Sequence, residues 1–218
     1  ETLSATGKAT IANMGAELGA TTSMFSFDDR MSTYLRATDR DELVPIIEKA
    51  RDFLRPDPEV LSDPQAHYDQ VLELDLTTLE PYVVGPHSPD RARPISEMAK
   101  EIADPENGFV EDISVALMGS CTNSSYEDMS RSADIADQAK AHGLTTSVPF
   151  LVTPGSEQVR ATIERDGQMA SLADFNGTVL ANACGPCIGQ WKRAKALDGV
   201  PNTIVTSYNR NFPARNDG

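Results

Sequence analysis

The sequence predicts an α/β protein, in which a parallel sheet flanked by helices follows part of a smaller α/β domain. Three observations lead to this fold class. Short apolar runs alternate with helical patterns in the second half of the 218 residues, and this alternation favours a parallel sheet. Each of these apolar runs is followed by small or polar residues. A hydrophobic content of 39% is sufficient for a substantial buried core.

The first segment, residues 7–22, is rich in alanine and other small residues and predicts a helix. Asn13 and Glu17 are four positions apart and would share one face of it. A second helix is predicted over residues 45–54, because Pro45 suits a first helical turn and apolar residues recur after it at helical spacing.

The pattern then becomes irregular. Residues 55–64 contain several prolines and predict a loop. Leu72, Leu74 and Leu76 alternate with acidic residues, which predicts a half-buried strand.

A domain boundary is predicted near Tyr82. Residues 79–94 contain proline and glycine and read as a linker. We therefore expect one domain over residues 1–82 and another over residues 83–218.

The second domain shows the alternation most clearly. Strands are predicted over residues 113–118, 148–152, 178–181 and 203–206. The first intervening helix begins near Asn123 or Ser124, with Ser124 and Glu127 in capping-box spacing and Gly143 as its end. Another helix is predicted over residues 156–166.

The carboxyl ends of parallel strands meet at one edge of a sheet, where ligands bind in open α/β folds. Cys121 follows the first predicted strand, Cys184 and Cys187 follow the third, and Arg210 follows the fourth. We therefore expect all three cysteines and Arg210 to lie at the same edge.

Charge and composition exclude several classes of partner. With 33 acidic and 19 basic residues the net charge is −14, which argues against nucleic acid. A polyanionic substrate would need local arginines, and residues 207–215 contain two. No apolar run approaches the roughly 20 residues of a membrane helix, and residues 1–20 do not resemble a signal peptide. We expect neither membrane insertion nor secretion.

Three cysteines do not suit a secreted disulfide framework, so a reducing compartment is expected. The run Cys184-Gly185-Pro186-Cys187 alone is weak evidence, because it suits a redox disulfide as well as a metal. A zinc site would need a histidine as its fourth ligand, from His67, His87 or His142. The cysteines could also be purely structural.

An iron–sulfur cube is the remaining interpretation. Such cubes usually have four cysteine ligands, and this chain offers three. One iron would then lack a protein ligand and could bind substrate oxygens as a Lewis acid.

Four motifs resemble the aconitase family, and within it the mitochondrial type. They are Asn13-Met14-Gly15-Ala16-Glu17, Gly119-Ser120-Cys121-Thr122-Asn123, Ala183-Cys184-Gly185-Pro186-Cys187-Ile188-Gly189 and Tyr208-Asn209-Arg210-Asn211-Phe212. Aconitases interconvert citrate and isocitrate through cis-aconitate, in the tricarboxylic acid cycle. The resemblance implies that residues 1–82 are the end of the family's second domain and residues 83–218 its cluster-binding third domain.

The resemblance also implies roles for single residues. Cys121, Cys184 and Cys187 would bind a [4Fe-4S] cluster, one iron of which lacks a protein ligand. Asn209 would hydrogen-bond near the cluster, and Arg210 and Arg215 would hold carboxylates of a tricarboxylate substrate. Asn13 and Glu17 would lie near the cluster, with Glu17 positioning water or hydroxyl on the open iron.

Two departures from the family pattern stand out. The loop around residues 55–65 is longer, and Pro213-Ala214 replaces a glycine-containing pair, so the backbone before Arg215 is more restricted. No segment matches the family's serine base or its acid-side histidine and aspartate. The chain begins at Glu1 without methionine, and we expect it to be a fragment that is inactive without the remaining domains of the parent enzyme.

Alternatives remain open at this point. The substrate could be a homoaconitate, isopropylmalate or methylcitrate-type acid, since the residues that face the variable arm belong to other domains. An RNA-binding relative is disfavoured by the net charge, and a thiol redox module would make Cys121 dispensable. The compartment is either a bacterial or archaeal cytoplasm or the mitochondrial matrix.

Overall fold

The chain divides between Leu79 and Glu80 into two units, Glu1–Leu79 and Glu80–Gly218, in the computed structural model. The structure describes residues 2–16, 18–195, 199–213 and 215–216.

The first unit is helical in its described part. Its helices are α1 (Ala5–Asn13), α2 (Asp29–Ala37), α3 (Val44–Lys49) and α4 (Pro58–Ser62). Short 3-10 turns occupy Met14–Ala16, Asp41–Leu43, Arg51–Leu54 and Pro64–Ala66. Asp28 caps α2 by accepting a hydrogen bond from the Met31 amide and also forms a buried ion pair with Lys8.

Several predictions for this unit need correction. The helix predicted over residues 7–22 ends at Asn13 and continues only as a 3-10 turn. The helix predicted over residues 45–54 corresponds to α3, which ends at Lys49 before another 3-10 turn. The predicted loop over residues 55–64 contains α4.

The predicted strand around Leu72, Leu74 and Leu76 is wrong, since these residues have no regular secondary structure and Leu72 is 91% exposed. Alternation forms a strand only where a partner strand is available, and no strand occurs in the described part of this unit.

The second unit opens with an antiparallel hairpin. Its strands are β1 (Tyr82–Val84) and β2 (Ala92–Pro94), which pair from Tyr82 opposite Pro94 to Val84 opposite Ala92. Helix α5 (Ile95–Ile102) and a 3-10 turn at Pro105–Asn107 follow. The predicted linker over residues 79–94 is therefore wrong from Tyr82 onwards, because residues 82–84 and 92–94 pair as strands.

The parallel sheet is confirmed. It consists of β3 (Ile113–Met118), β4 (Phe150–Val152), β5 (Gly177–Val179) and β6 (Thr203–Thr206), in the order β5-β4-β3-β6. All three pairings are parallel. The predicted bounds of β3 and β6 agree with the structure, while β4 and β5 are shorter than predicted.

Helices α6 (Tyr126–Ala141), α7 (Glu157–Asp166) and α8 (Gln168–Asp174) flank the sheet. The capping box of α6 is formed by Ser125 and Asp128, one position beyond the predicted pair. Helix α8 was not predicted. The core is formed by apolar side chains of these helices and of β4, namely Met129, Ala133, Ala136, Val152, Ile163 and Leu172.

Among the described residues, no helix combines the length and the apolar character needed to cross a membrane.

Candidate functional site at the carboxyl edge of the sheet

The strand order places a switch point between β3 and β6. From β3 the chain adds β4 and then β5 on one side, and it returns to the other side of β3 with β6. In open parallel sheets the loops on either side of such a reversal diverge and leave a crevice at the carboxyl edge. The loops after β3 and β6 therefore border the candidate site.

The loop after β3 turns sharply and exposes Cys121. Gly119 has φ +106°, and a Cβ there would lie 2.0 Å from the Thr153 carbonyl oxygen, so only glycine fits. The buried Ser124 hydroxyl accepts from the Ser120 amide at 2.7 Å. The Ser120 hydroxyl in turn accepts from the amides of Thr122 and Asn123 at 3.2 and 3.1 Å, so Cys121 stands at the tip of a hydrogen-bonded turn.

The loop after β5 carries Cys184 and Cys187 around a 3-10 turn, Pro186–Ile188. The Cys184 carbonyl accepts from the Ile188 amide at 2.9 Å, and the Gly185 carbonyl accepts from the Gln190 amide at 2.8 Å. Cys184 is exposed and Cys187 is half-buried, and all three cysteines are free thiols.

The loop after β6 is attached to β3 by several bonds. The Ser207 amide donates to the Leu117 carbonyl at 3.1 Å, and the Ser207 hydroxyl accepts from the Gly119 amide at 2.8 Å. The Asn123 side chain donates to the Ser207 carbonyl and to Oδ1 of Asn209. The loops after β3 and β6, which border the crevice, are thus hydrogen-bonded to each other.

Arg215 joins the loop after β6 to the loop after β5. Its guanidinium donates to the Cys187 carbonyl at 2.8 Å, to Cys187 Sγ at 3.1 Å and to the Arg210 carbonyl at 2.9 Å. Its charge also lies over the rings of Tyr208 and Phe212, 5.4 and 5.8 Å from their centres. Pro213 does not prevent Arg215 from reaching the cysteine loop.

The surroundings of Tyr208, in the loop after β6, shift the pKa of its phenol. Its burial, together with the nearby Cys187 sulfur, raises the pKa of the phenol to about 12, and Arg215 opposes this shift only in part. Tyr208 is therefore neutral at physiological pH and acts as an apolar support for Arg215.

The predicted site residues fall into two groups. Cys121, Cys184, Cys187, Asn209, Arg210 and Arg215 all belong to loops at the carboxyl edge of the sheet in the second unit. Asn13 is the last residue of α1 in the first unit. Glu17 lies outside the described residues.

A single metal ion and an iron–sulfur cluster need different arrangements of ligand side chains. No three Cys, His, Asp or Glu side chains in the described part of the chain are grouped to hold one metal ion. A cube of four irons has a different requirement, because each cysteine binds a separate iron and the sulfurs stand at separate corners. A buried donor, Nδ2 of Asn209, also has no acceptor among the described residues.

A family model described as the aconitase family (aconitate hydratase) matches residues 1–218. The chain belongs to the aconitase family. The resemblance predicted from the four motifs is therefore confirmed.

Individual members of the aconitase family are similar along the whole chain. The mitochondrial aconitate hydratase of Emericella nidulans is 56% identical over 215 residues, covering 99% of this chain and 26% of that protein. The mitochondrial aconitate hydratase of Saccharomyces cerevisiae is 56% identical over 218 residues, covering 100% and 27%. The probable mitochondrial aconitate hydratase of Dictyostelium discoideum is 56% identical over 217 residues, again covering 100% and 27%. The chain spans about a quarter of the length of these relatives.

Sequence reasoning missed two residues that organise the site of this aconitase-family chain. Asn123 links the loops after β3 and β6, and Asn211 links the loop after β6 to the hairpin. The Asn211 side chain donates to the Val84 carbonyl at 2.9 Å and accepts from the His87 amide at 3.1 Å. Both asparagines lie within the family motifs, but sequence spacing gives no sign of partners more than 80 positions away.

Proposed function

We propose that this chain is the cluster-holding part of an aconitate hydratase, which isomerises citrate to isocitrate through cis-aconitate. The observation that carries the proposal is the direct linkage of Arg215 with Cys187 and Arg210. This linkage joins a cysteine pair to a pair of arginines at one sheet edge. Family membership supports the reaction class, and the chemistry of the residues supports their roles.

The three cysteines would bind a [4Fe-4S] cluster with one iron that lacks a protein ligand. When bound, such a cluster supplies a Lewis acid for removing and re-adding water. The free state of all three thiols is compatible with this assignment, since a thiolate ligand must not be tied up in a disulfide. The unsatisfied Nδ2 of Asn209 is a donor suited to an anionic group at the same edge.

Arg210 and Arg215 would hold the substrate's carboxylates. A guanidinium carries five N–H groups, and Arg215 uses three of them in its bonds to Cys187 and Arg210. Among the described residues, two of its N–H groups then remain for a carboxylate, and the guanidinium is already fixed by its other bonds. Local positive charge is needed here, because the chain's net charge of −14 repels a trianion at long range.

Asn13 and Glu17 would have the catalytic roles that the family motif implies for them. We propose that the two units correspond to the end of the family's second domain and to its third domain. The remaining domains of the parent enzyme would supply the base and the acid-side residues. The names of the relatives support a mitochondrial matrix location.

The cluster is tested by anaerobic reconstitution of the 218-residue chain with iron and sulfide. We expect broad visible absorption and about four irons per chain. Cys121→Ser should abolish the absorption, whereas the matched control His67→Ala, at an exposed position, should keep it. A folded wild-type chain that stays colourless would refute the cluster. A reversible Cys184–Cys187 disulfide that forms equally well in Cys121→Ser would favour a redox module instead.

The substrate is tested with the chain joined to the remaining domains of the parent enzyme. We expect turnover of citrate and isocitrate, and much slower turnover of homoaconitate, isopropylmalate and methylcitrate-type acids. Faster turnover of one of these acids would keep the reaction class but change the proposed substrate.

A further inference from the structure

Asn123 joins the loops after β3 and β6 through its side chain. Its amide nitrogen has two acceptors, the Ser207 carbonyl oxygen and Oδ1 of Asn209. The Asn123 backbone amide is itself fixed by the Ser120 hydroxyl at 3.1 Å. Asn123 is therefore held at both its main chain and its side chain.

The orientation of the two side-chain amides follows from the backbone. A carbonyl oxygen can only accept a hydrogen bond, and Ser207 is held in place because its own amide donates to Leu117 at 3.1 Å. The end of Asn123 that faces Ser207 must therefore be the NH2 group. This NH2 group then requires an acceptor on its other side, so Asn209 must present Oδ1 to it.

These two hydrogen bonds leave the NH2 group of Asn209 on the side away from Asn123. Nδ2 of Asn209 is buried and has no acceptor among the described residues. An unsatisfied buried donor destabilises the folded state, so a donor kept in this state indicates a missing acceptor. Arg210 and Arg215, which belong to the same loop as Asn209, favour an anionic acceptor.

We infer that Asn123 is a positioning residue, which orients the Asn209 amide so that its NH2 group donates to the anionic ligand of the site. The inference rests on the proposed function for the identity of that ligand. The acceptor is either a sulfur of the cluster or an oxygen of the tricarboxylate. In both cases Asn123 acts only through Asn209 and does not touch the ligand.

The test uses Asn123→Asp, Asn209→Ala and the double variant in the reconstituted chain. An aspartate has nearly the same shape but no NH2 group, so it repels the Ser207 carbonyl and attracts the NH2 group of Asn209 away from the ligand. The matched control is Asn176→Asp. Asn176 also donates to a side chain, Thr145 at 2.7 Å, but it precedes β5 at the opposite edge of the sheet.

The first readout is loss of iron to a chelator, measured with and without citrate. Outer residues that orient a metal site typically change metal affinity by about 10-fold to 100-fold. We expect iron loss to be roughly tenfold easier in Asn123→Asp and in Asn209→Ala, and no easier in the double variant than in either single variant. Asn176→Asp should behave like the wild type. If the variants lose iron more easily without citrate, the acceptor for the Asn209 NH2 group is the cluster. If they do so only with citrate, the acceptor is the substrate.

Two results would overturn the inference. Asn123→Asp could retain iron like the wild type under both conditions, or the double variant could show the product of the two single effects, which is the behaviour of independent structural roles. Asn123→Ser, which keeps one hydroxyl donor, should fall between wild type and Asn123→Asp. It also replaces Asn123→Asp if the latter does not fold.

A second readout separates this inference from the proposed function. In the cluster-free chain, the NMR signals of the Asn209 side-chain NH2 group should shift in Asn123→Asp, because that group turns towards the new carboxylate. Unchanged signals would refute the orienting role even if a cluster binds. The wild-type chain could bind no cluster while the Asn209 signals still shift in Asn123→Asp. This result would refute the proposed function but support the orienting role of Asn123.

Discussion

At the scale of single residues, the site depends on a few polar side chains that each bind more than one loop. Arg215 shows this best, since it contacts both the carbonyl and the sulfur of Cys187 as well as the carbonyl of Arg210. Lysine cannot reproduce these contacts, because it has a single nitrogen at the end of a flexible chain.

Arg215→Lys should therefore lower kcat/KM for citrate on the order of a hundredfold in the chain joined to its remaining domains, since two charged hydrogen bonds are lost. Steady-state kinetics measure the effect. Arg165→Lys is the matched control, because Arg165 forms an exposed ion pair with Asp166 and should leave kcat/KM unchanged. A similar loss in both variants would mean that Arg215 acts only through general stability.

Asp28 gives a second prediction, which concerns stability. Burial raises the pKa of its carboxyl, but hydrogen bonds from Lys8 and the Met31 amide and the charge of Lys8 outweigh this, so the pKa lies below its ordinary value of 3.8. A lowered pKa stabilises the folded state above pH 3.8, and this stabilisation is lost as the pH falls through the folded-state pKa.

Asp28→Asn should lower the free energy of unfolding by roughly 1–3 kcal/mol at pH 7, because Lys8 is left buried without its partner. Asparagine still caps α2, so the cap itself is retained. The difference from wild type should shrink below pH 3.8, as followed by urea unfolding. Asp29→Asn, in which the neighbouring carboxylate is 80% exposed, should have little effect at either pH. A loss in Asp28→Asn that does not depend on pH would contradict the ion-pair explanation.

Most of the proposed site could be predicted at the residue scale, because the cysteines and arginines are short-range features of loops that follow strands. Asn123 and Asn211 could not be found in this way. Their partners, Asn209 and Val84, lie 86 and 127 positions away in the chain. Only the sheet and the hairpin bring them together.

At the scale of elements, the tight turn after β3 is the feature that sets the course of the Cys121 loop. A Cβ on Gly119 would lie 2.0 Å from the Thr153 carbonyl and 2.5 Å from the Ser124 hydroxyl. The turn is thus packed against the loop that follows β4.

Gly119→Ala should lower the free energy of unfolding by roughly 3 kcal/mol or more, since backbone strain and a steric clash add together. Gly143→Ala is the matched control. Gly143 also has a positive φ, +74°, but a Cβ there meets nothing within 4 Å, so only the backbone cost of about 1–2 kcal/mol remains. Urea unfolding of both variants gives the comparison. Equal losses would mean that the close approach to Thr153 relaxes without cost.

Prediction of elements succeeded where local pattern and tertiary pairing agreed. The strands β3 and β6 are apolar runs that pair with each other, and their bounds were predicted correctly. The leucines at 72, 74 and 76 carry an equally clear alternation but have no partner strand among the described residues. The cap of α6 was displaced because Ser124 and Ser125 both have an acidic residue three positions later, and Ser124 is instead buried under the Cys121 loop.

At the scale of the whole molecule, the first unit exposes many large apolar side chains. Phe53 is 90% exposed and Leu72 is 91% exposed. Such exposure is typical of surfaces that are covered by another part of a protein. We expect the remaining domains of the parent enzyme to cover it.

The chain alone should therefore bind a hydrophobic dye such as ANS more strongly than a fully covered protein does. The double variant Phe53→Ser and Leu72→Ser should reduce the fluorescence clearly, with a change in unfolding free energy within about 0.5 kcal/mol for each site. The control, Val152→Ser, replaces a fully buried core residue and should increase dye binding by loosening the core. Unchanged dye binding in the double variant would show that these side chains do not form the apolar surface.

The switch point between β3 and β6 also has a consequence for the order of folding. Asn123 and Asn209 meet only after a loop of 86 residues has closed, and such non-local pairing forms more slowly than the contacts around α6, α7 and α8. The docking of β6 completes the sheet and brings Asn209, Arg210 and Arg215 to the cysteine edge in the same step. A nascent chain that ends before β6 would therefore have the three cysteines without the residues that we propose to bind the substrate.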